Sequence, residues 1–274
     1  MEAKMKIGYP THPRRDPVEE IAWIGANGFD FVDLFLEPDL GAAERISCQA
    51  IKDALACYKL GSVGHLAWYL PIGSPIPRLR EAAVEVAEAY LHKFKQIGVN
   101  RVTIHANWPP SLFTDKEGLE YQTESLEMLL PKAARLGISM LYEPVGHAHE
   151  TEENLKSLFN RFPDLQFHLD IGHFNLNMRN PLRFVKAFKN RLAHIHLHDN
   201  DGTKDQHLPM GTGKIEWEPL IEELKTFYTG TITLEIFTPV REYVLLSRDL
   251  LLRLWGPKPN SCATSRHLVS KDEH

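Results

Sequence analysis

Short runs rich in β-branched and aromatic residues alternate along this chain with longer runs of helical periodicity. The short runs predict strands at 5–9 (MKIGY), 29–35 (FDFVDLF), 61–66, 99–105 (VNRVTIH), 138–143 (ISMLYE), 165–170 (LQFHLD), 192–198 (LAHIHLH) and 231–237 (TITLEIF). Between them the 3.6-residue period predicts helices over 17–26, 42–58, 78–97, 119–135, 152–161, 181–189, 218–228 and 240–254. Asn27-Gly28 and Gly98 supply stop signals for the first and third of these. Regular repetition of strand and helix predicts a single (β/α)8 TIM barrel over residues 1–256. A doubly wound open sheet is the competitor, but no glycine fingerprint follows the first strand. Residues 257–274 carry Pro, Gly, Ser and charge without periodicity and read as a flexible tail.

In such a barrel the C-terminal strand ends form the face that carries chemistry. From the third unit to the eighth, those ends carry His65, His105, Glu143, Asp170 with His173, His196 with His198, and Glu235. The loop after the seventh strand adds Asp205 and His207. A lone histidine in a strand is usually an interior hydrogen-bonding residue, and a lone glutamate at a strand end is usually solvated. Recurrence at one structural phase points instead to a common metal centre. Apolar runs such as 138–142 and 165–169 end abruptly in a carboxylate, and several such charges buried together require a neutralising cation. Alternation in 192–198 puts His194, His196 and His198 on one strand face, though only one of them need be a ligand. In Asp170-Ile171-Gly172-His173 the glycine is expected to ease the turn out of the strand. The mixed nitrogen and oxygen set suits Zn, Mn, Co or Fe better than Ca.

Composition narrows the picture modestly. The 274 residues are 43% hydrophobic and 24% charged, ordinary for a globular domain with a full core. No stretch reaches the length of apolar residues that a membrane span needs, and the start lacks a secretory apolar core, so cytoplasmic residence is expected. Net charge of −5 counts against nucleic acid as the main partner. Cys48, Cys57 and Cys262 show no CxxC pairing and read as incidental thiols.

Taken together, Gly64-His65-Leu66, Ile104-His105, Tyr142-Glu143-Pro144, Leu169-Asp170-Ile171-Gly172-His173, His196-Leu197-His198-Asp199, Asp205-Gln206-His207, Gly211-Thr212-Gly213 and Leu234-Glu235 resemble the xylose isomerase-like barrel superfamily. That superfamily joins sugar isomerases and epimerases with endonuclease IV. The resemblance implies a shared divalent-metal site of Glu143, Asp170, His196 and Glu235. It also implies, on the endonuclease pattern, one further zinc ion at His65 and His105 and another at His173, Asp205 and His207, for one to three ions in all. On the isomerase pattern Glu143 and Glu235 are the proton-transfer pair, and His173 holds substrate oxygens. Trp68, Trp108 and His198 are candidates for substrate contact. The segments 106–110 and 144–149 do not match the endonuclease pattern. The ketose 3-epimerases of this group carry an arginine where Gly202 stands here. The leading expectation is a metal-dependent isomerase or epimerase of a small sugar or polyol, possible also as a homo-oligomer. Two others stand beside it: a zinc-dependent hydrolase at abasic DNA sites, and a barrel that binds metal without turnover.

Overall fold

The structure, a computed structural model, describes residues 5–257; apart from its first residue, the predicted tail lies outside the described residues. Eight parallel strands close into a barrel in sequence order, each neighbour pairing with the next and the last with the first. They are β1 (Lys6–Pro10), β2 (Phe31–Leu36), β3 (Gly61–Leu66), β4 (Arg101–His105), β5 (Ser139–Glu143), β6 (Gln166–Asp170), β7 (Leu192–Leu197) and β8 (Thr231–Leu234). The crossover helices are α1 (Pro17–Ala26), α2 (Cys48–Tyr58), α3 (Pro77–Ile97), α4 (Asp115–Arg135), α5 (Glu152–Arg161), α6 (Pro181–Phe188), α7 (Trp217–Lys225) and α8 (Glu242–Trp255). A short 3-10 helix, His173–Met178, follows β6. No helix among the described residues is long and apolar enough to cross a membrane.

Helix boundaries follow capping chemistry more than hydrophobic period. The helix predicted over 42–58 begins only at Cys48, because the Ser47 hydroxyl accepts from the Ala50 amide and ends the preceding turn. The helix predicted from 119 begins instead at Asp115, where Thr114 and Glu117 form a reciprocal capping box. Both signals were short polar patterns at the edge of an amphipathic run.

The barrel interior changes character from base to mouth. Phe31, Val63 and Leu141 pack together as a small apolar cluster, separate from the main core between strands and helices. Phe31 fits there because Gly8 lacks a side chain: a Cβ on Gly8 would fall 2.5 Å from the ring. Further along the strands the interior becomes polar, with Asp33, Thr103, His168, His194 and Thr233 all fully buried. This polar layer leads directly into the C-terminal strand ends.

Candidate metal centre

All nine residues of the expected ligand set meet at the C-terminal mouth. The Nδ1 atom of His196, near the end of β7, is their focus. It lies 3.1 Å from Glu235 Oε2, 3.5 Å from Glu143 Oε1 and 3.9 Å from Asp170 Oδ2. Strand pairing produces this convergence: His105 is opposite Glu143 in the β4–β5 register, and Asp170 is opposite His196 in the β6–β7 register. Glu143 Oε1 and Asp170 Oδ2 are buried and have no hydrogen-bond partner. Two unpartnered carboxylate oxygens beside an imidazole nitrogen are strongly unfavourable in a protein interior, and a divalent cation satisfies both. The donor set therefore fits a metal.

Two flanking clusters share these residues. Glu143 Oε2 lies 3.0 Å from His65 Nε2 and 3.0 Å from His105 Nε2, so Glu143 bridges between His196 and this imidazole pair. On the other side His173 Nε2 and His207 Nε2 approach Asp205 Oδ2 at 3.4 and 3.1 Å. Backbone carbonyls set the tautomers. The Nδ1–H groups of His65, His173 and His207 donate to the carbonyls of Leu66 (2.9 Å), Pro144 (3.2 Å) and Glu235 (2.9 Å). Each Nε2 lone pair is thereby left to face the cluster. His196 is held the opposite way round: its Nε2–H donates to Asp33 Oδ2 at 2.7 Å, turning Nδ1 inward.

The expected substrate-contact residues divide. Trp68 lines a cavity of about 510 Å³ above the cluster, together with Phe35, Glu37 and Phe237 and with His65, His105, His173, Asp205, His207 and Glu235 from the ligand set. Trp108 is not brought to that cavity; it stacks on His147 and donates its indole N–H to Glu150. His198 is completely buried and lies between Asp170 Oδ1 (3.1 Å) and Asp205 Oδ1 (3.4 Å). Gly172 also plays a different part from the expected one. Its backbone is ordinary right-handed helix, accessible to any residue, but a Cβ there would fall 1.9 Å from His198 Cε1. Glycine is required by the close approach of the imidazole and not by a turn.

Four supporting residues escaped the sequence reading. Asp33 sits mid-strand behind His196, where only its interruption of an apolar run marked it. His168, two residues before Asp170 on β6, reaches Glu143 Oε2 at 3.2 Å. Buried Glu150 accepts from the amides of Val145 (3.0 Å) and His147 (2.8 Å) and fixes the loop whose Pro144 carbonyl holds His173. Glu37, one residue past β2, is a buried carboxylate on the cavity wall. No spacing rule separates these from solvated acids in a single sequence.

Without a metal, imidazolium groups take over the neutralising role. Burial would lower His173 and His196, but Asp170 and Asp205 around the first, and Glu235 and Glu143 around the second, hold both well above the usual histidine value. His207 is likewise opposed by burial yet raised to about 9 by Glu235 and Asp205. Burial and cationic neighbours keep His105 well below its usual value, hence neutral and ready to coordinate. A pH dependence of stability follows for chelator-stripped protein. A histidine raised in the folded state contributes fully below its unfolded value near 6.5, and that contribution is lost as pH rises through its folded value. For His207 alone the interval from 6.5 to about 9 is worth about 2–3 kcal/mol. His194, lowered to about 4 chiefly by burial, acts only on the acid side of 6.5 and with the opposite sign. Urea unfolding of the stripped chain is therefore expected to show lower stability at pH 9 than at pH 6.5; equal stability at both would contradict the ion-pair network.

A protein family described as xylose isomerase-like TIM barrel matches residues 21–253. An uncharacterized protein of Methanocaldococcus jannaschii is 29% identical over 170 residues, 58% of each chain, so this chain spans under two thirds of that relative's length. The probable endonuclease 4 of Aquifex aeolicus is 25% identical over 212 residues, 70% of this chain and 75% of that one. Among solved structures, a D-tagatose 3-epimerase-like protein superposes with a TM-score of 0.79 at 23% identity, covering 91% of this chain and 97% of the other. The TTHB071 protein of Thermus thermophilus, soaked with ZnCl2, superposes with a TM-score of 0.71 at 23% identity, covering 90% and 97%. At that identity the superpositions speak for the fold alone, and it is the match over residues 21–253 that places the chain in the xylose isomerase-like TIM barrel family.

Proposed function

We propose that the chain is a metal-dependent isomerase or epimerase that moves a proton next to the carbonyl of a small sugar or polyol-derived ketose. One observation carries this reading: the ligand cluster opens into an aromatic-walled cavity of about 510 Å³ with no Lys or Arg among its lining residues. That volume suits a single small ligand. Phe35, Trp68 and Phe237 line it, and aromatic surface of this kind packs against the C–H face of a sugar. Sugar epimerases recur among the structural neighbours, including a 3-keto-D-glucoside 4-epimerase of E. coli and a D-psicose 3-epimerase of Clostridium cellulolyticum H10.

Glu143, Asp170, His196 and Glu235 would hold the ion. When bound, it would polarise the substrate carbonyl and stabilise the negative charge that develops on deprotonation. The protein's own groups do the rest. Glu235, on the cavity wall, would exchange a proton with the carbon beside the carbonyl from one face, and Glu143, at the cluster floor, would serve the other. Acid–base catalysis of this kind contributes about 10²–10⁴-fold. His173, with its Nδ1–H fixed to Pro144, would direct Nε2 at substrate oxygens. Incubation of metal-loaded protein with a panel of ketoses in deuterium oxide is expected to wash deuterium into the carbon beside the carbonyl. Absence of exchange across the panel would sink the proposal.

A second reading draws on the bridging geometry of Glu143 and on the three adjoining clusters, which suit a three-zinc phosphodiester hydrolase. Close to three zinc ions per chain together with nicking of abasic DNA would favour it. A cavity wall without Lys or Arg argues against a phosphodiester substrate.

A further inference from the structure

The wall of the cavity built on the ends of β1 to β3 includes Phe35, Glu37 and Trp68 beside His65 of the ligand set. Glu37 is only 8% exposed, and burial raises its carboxyl above the usual range against the pull of His65 and Tyr69. The groups that act on it electrostatically are His65, Tyr69 and Glu235, with no Lys or Arg among them. A buried carboxylate on the wall of a ligand cavity, with no Lys or Arg beside it, is served by hydrogen-bond donors from the ligand.

We propose that Glu37 is a specificity-determining residue that accepts hydroxyl hydrogens from a neutral sugar in the cavity and excludes phosphorylated sugars. The inference rests on the sugar reading above. A carboxylate has lone pairs for two adjacent hydroxyls, and Phe35 and Trp68 line the same cavity with apolar surface for the ring or chain carbons. A phosphate ester would find no Arg or Lys in the wall and would meet Glu37 as a like charge.

The test is equilibrium binding to the manganese-loaded full chain, read by tryptophan fluorescence, since Trp68 lines the cavity and is 64% exposed. The probes are D-fructose, D-fructose 6-phosphate and D-glucosamine. Wild-type protein is expected to bind D-fructose at least about 100-fold more tightly than its 6-phosphate. Glu37→Gln should weaken D-fructose about tenfold, the loss of one charge-assisted hydrogen bond, and should narrow the ratio about tenfold or more. Tyr69→Phe, which keeps the negative charge, should leave the ratio standing. A saturable D-fructose signal with the same ratio in Glu37→Gln, or equal losses in both variants, overturns the role of Glu37 and leaves the sugar reading intact. Tighter binding of D-glucosamine than of D-fructose assigns the carboxylate to an ammonium and also overturns the proposal. No saturable signal with any probe overturns both readings together.

Discussion

Glu143→Gln is expected to lower turnover by about 10³–10⁴-fold and to strip the purified protein of most of its bound metal, while leaving the metal-free fold as stable as the wild type or more so. The carboxylate is wholly buried, and its two oxygens serve different neighbours. Oε2 faces His65, His105 and His168 at 3.0, 3.0 and 3.2 Å, whereas Oε1 faces His196 at 3.5 Å and has no hydrogen-bond partner. Glutamine keeps the shape, but it removes the charge and replaces one acceptor by an NH₂ that cannot coordinate. Burial already raises Glu143 above the usual carboxylate range despite His196 and His65. Losing the charge therefore relieves a desolvation penalty in the stripped protein, and the effects on function and stability have opposite signs. Elemental analysis, chemical denaturation and exchange kinetics on one preparation check all three. A variant with normal metal content and more than a tenth of wild-type turnover would remove Glu143 from the centre.

The barrel was legible because two independent periods agree along the chain: short apolar runs end in a ligand-type residue, and helical runs separate them. Strand ends were legible as a site for the same reason, since His105, Glu143 and Asp170 each close a strand run and His196 lies level with Asp170 one residue before the end of β7. What could not be read was anything set by contact across the barrel. His198 and His196 lie two residues apart on one face, yet one points its ring under Asp170 and the other into the cluster. Trp108 resembles a rim aromatic in sequence but is drawn away by Glu150, on the loop after β5. The need for Gly172 comes from the ring of His198, just past the end of β7, which no local turn rule contains. Helix starts at Ser47 and Thr114 were readable as caps, but the apolar period outweighed them.

Asp33 offers the clearest case of a residue that acts through another, and Asp33→Asn is expected to weaken metal binding about 10–100-fold. Its Oδ2 accepts from His196 Nε2 at 2.7 Å and Thr233 Oγ1 at 2.8 Å, with His194 Nε2 at 3.1 Å, all inside the fully buried polar layer beneath the cluster. The first of these bonds decides the His196 tautomer and leaves Nδ1 facing Glu235, Glu143 and Asp170. The negative charge also makes the imidazole a better donor to a cation. Asparagine keeps a carbonyl acceptor of similar size, so the fold survives; its lost charge and its competing N–H₂ loosen the ring. Asp33→Ala goes further by leaving His194, His196 and Thr233 without their common partner, and the loss of stability should reach about 3–5 kcal/mol. Competition with a chromophoric chelator reads the affinity, and thermal unfolding of the stripped variants reads the stability. Because the carboxylate touches neither the cavity nor the substrate, Asp33→Asn at saturating metal should recover most of the wild-type turnover. Recovery by added metal separates orientation of a ligand from catalysis itself; unchanged affinity in Asp33→Asn would mean that His196 is held in place by the strand alone.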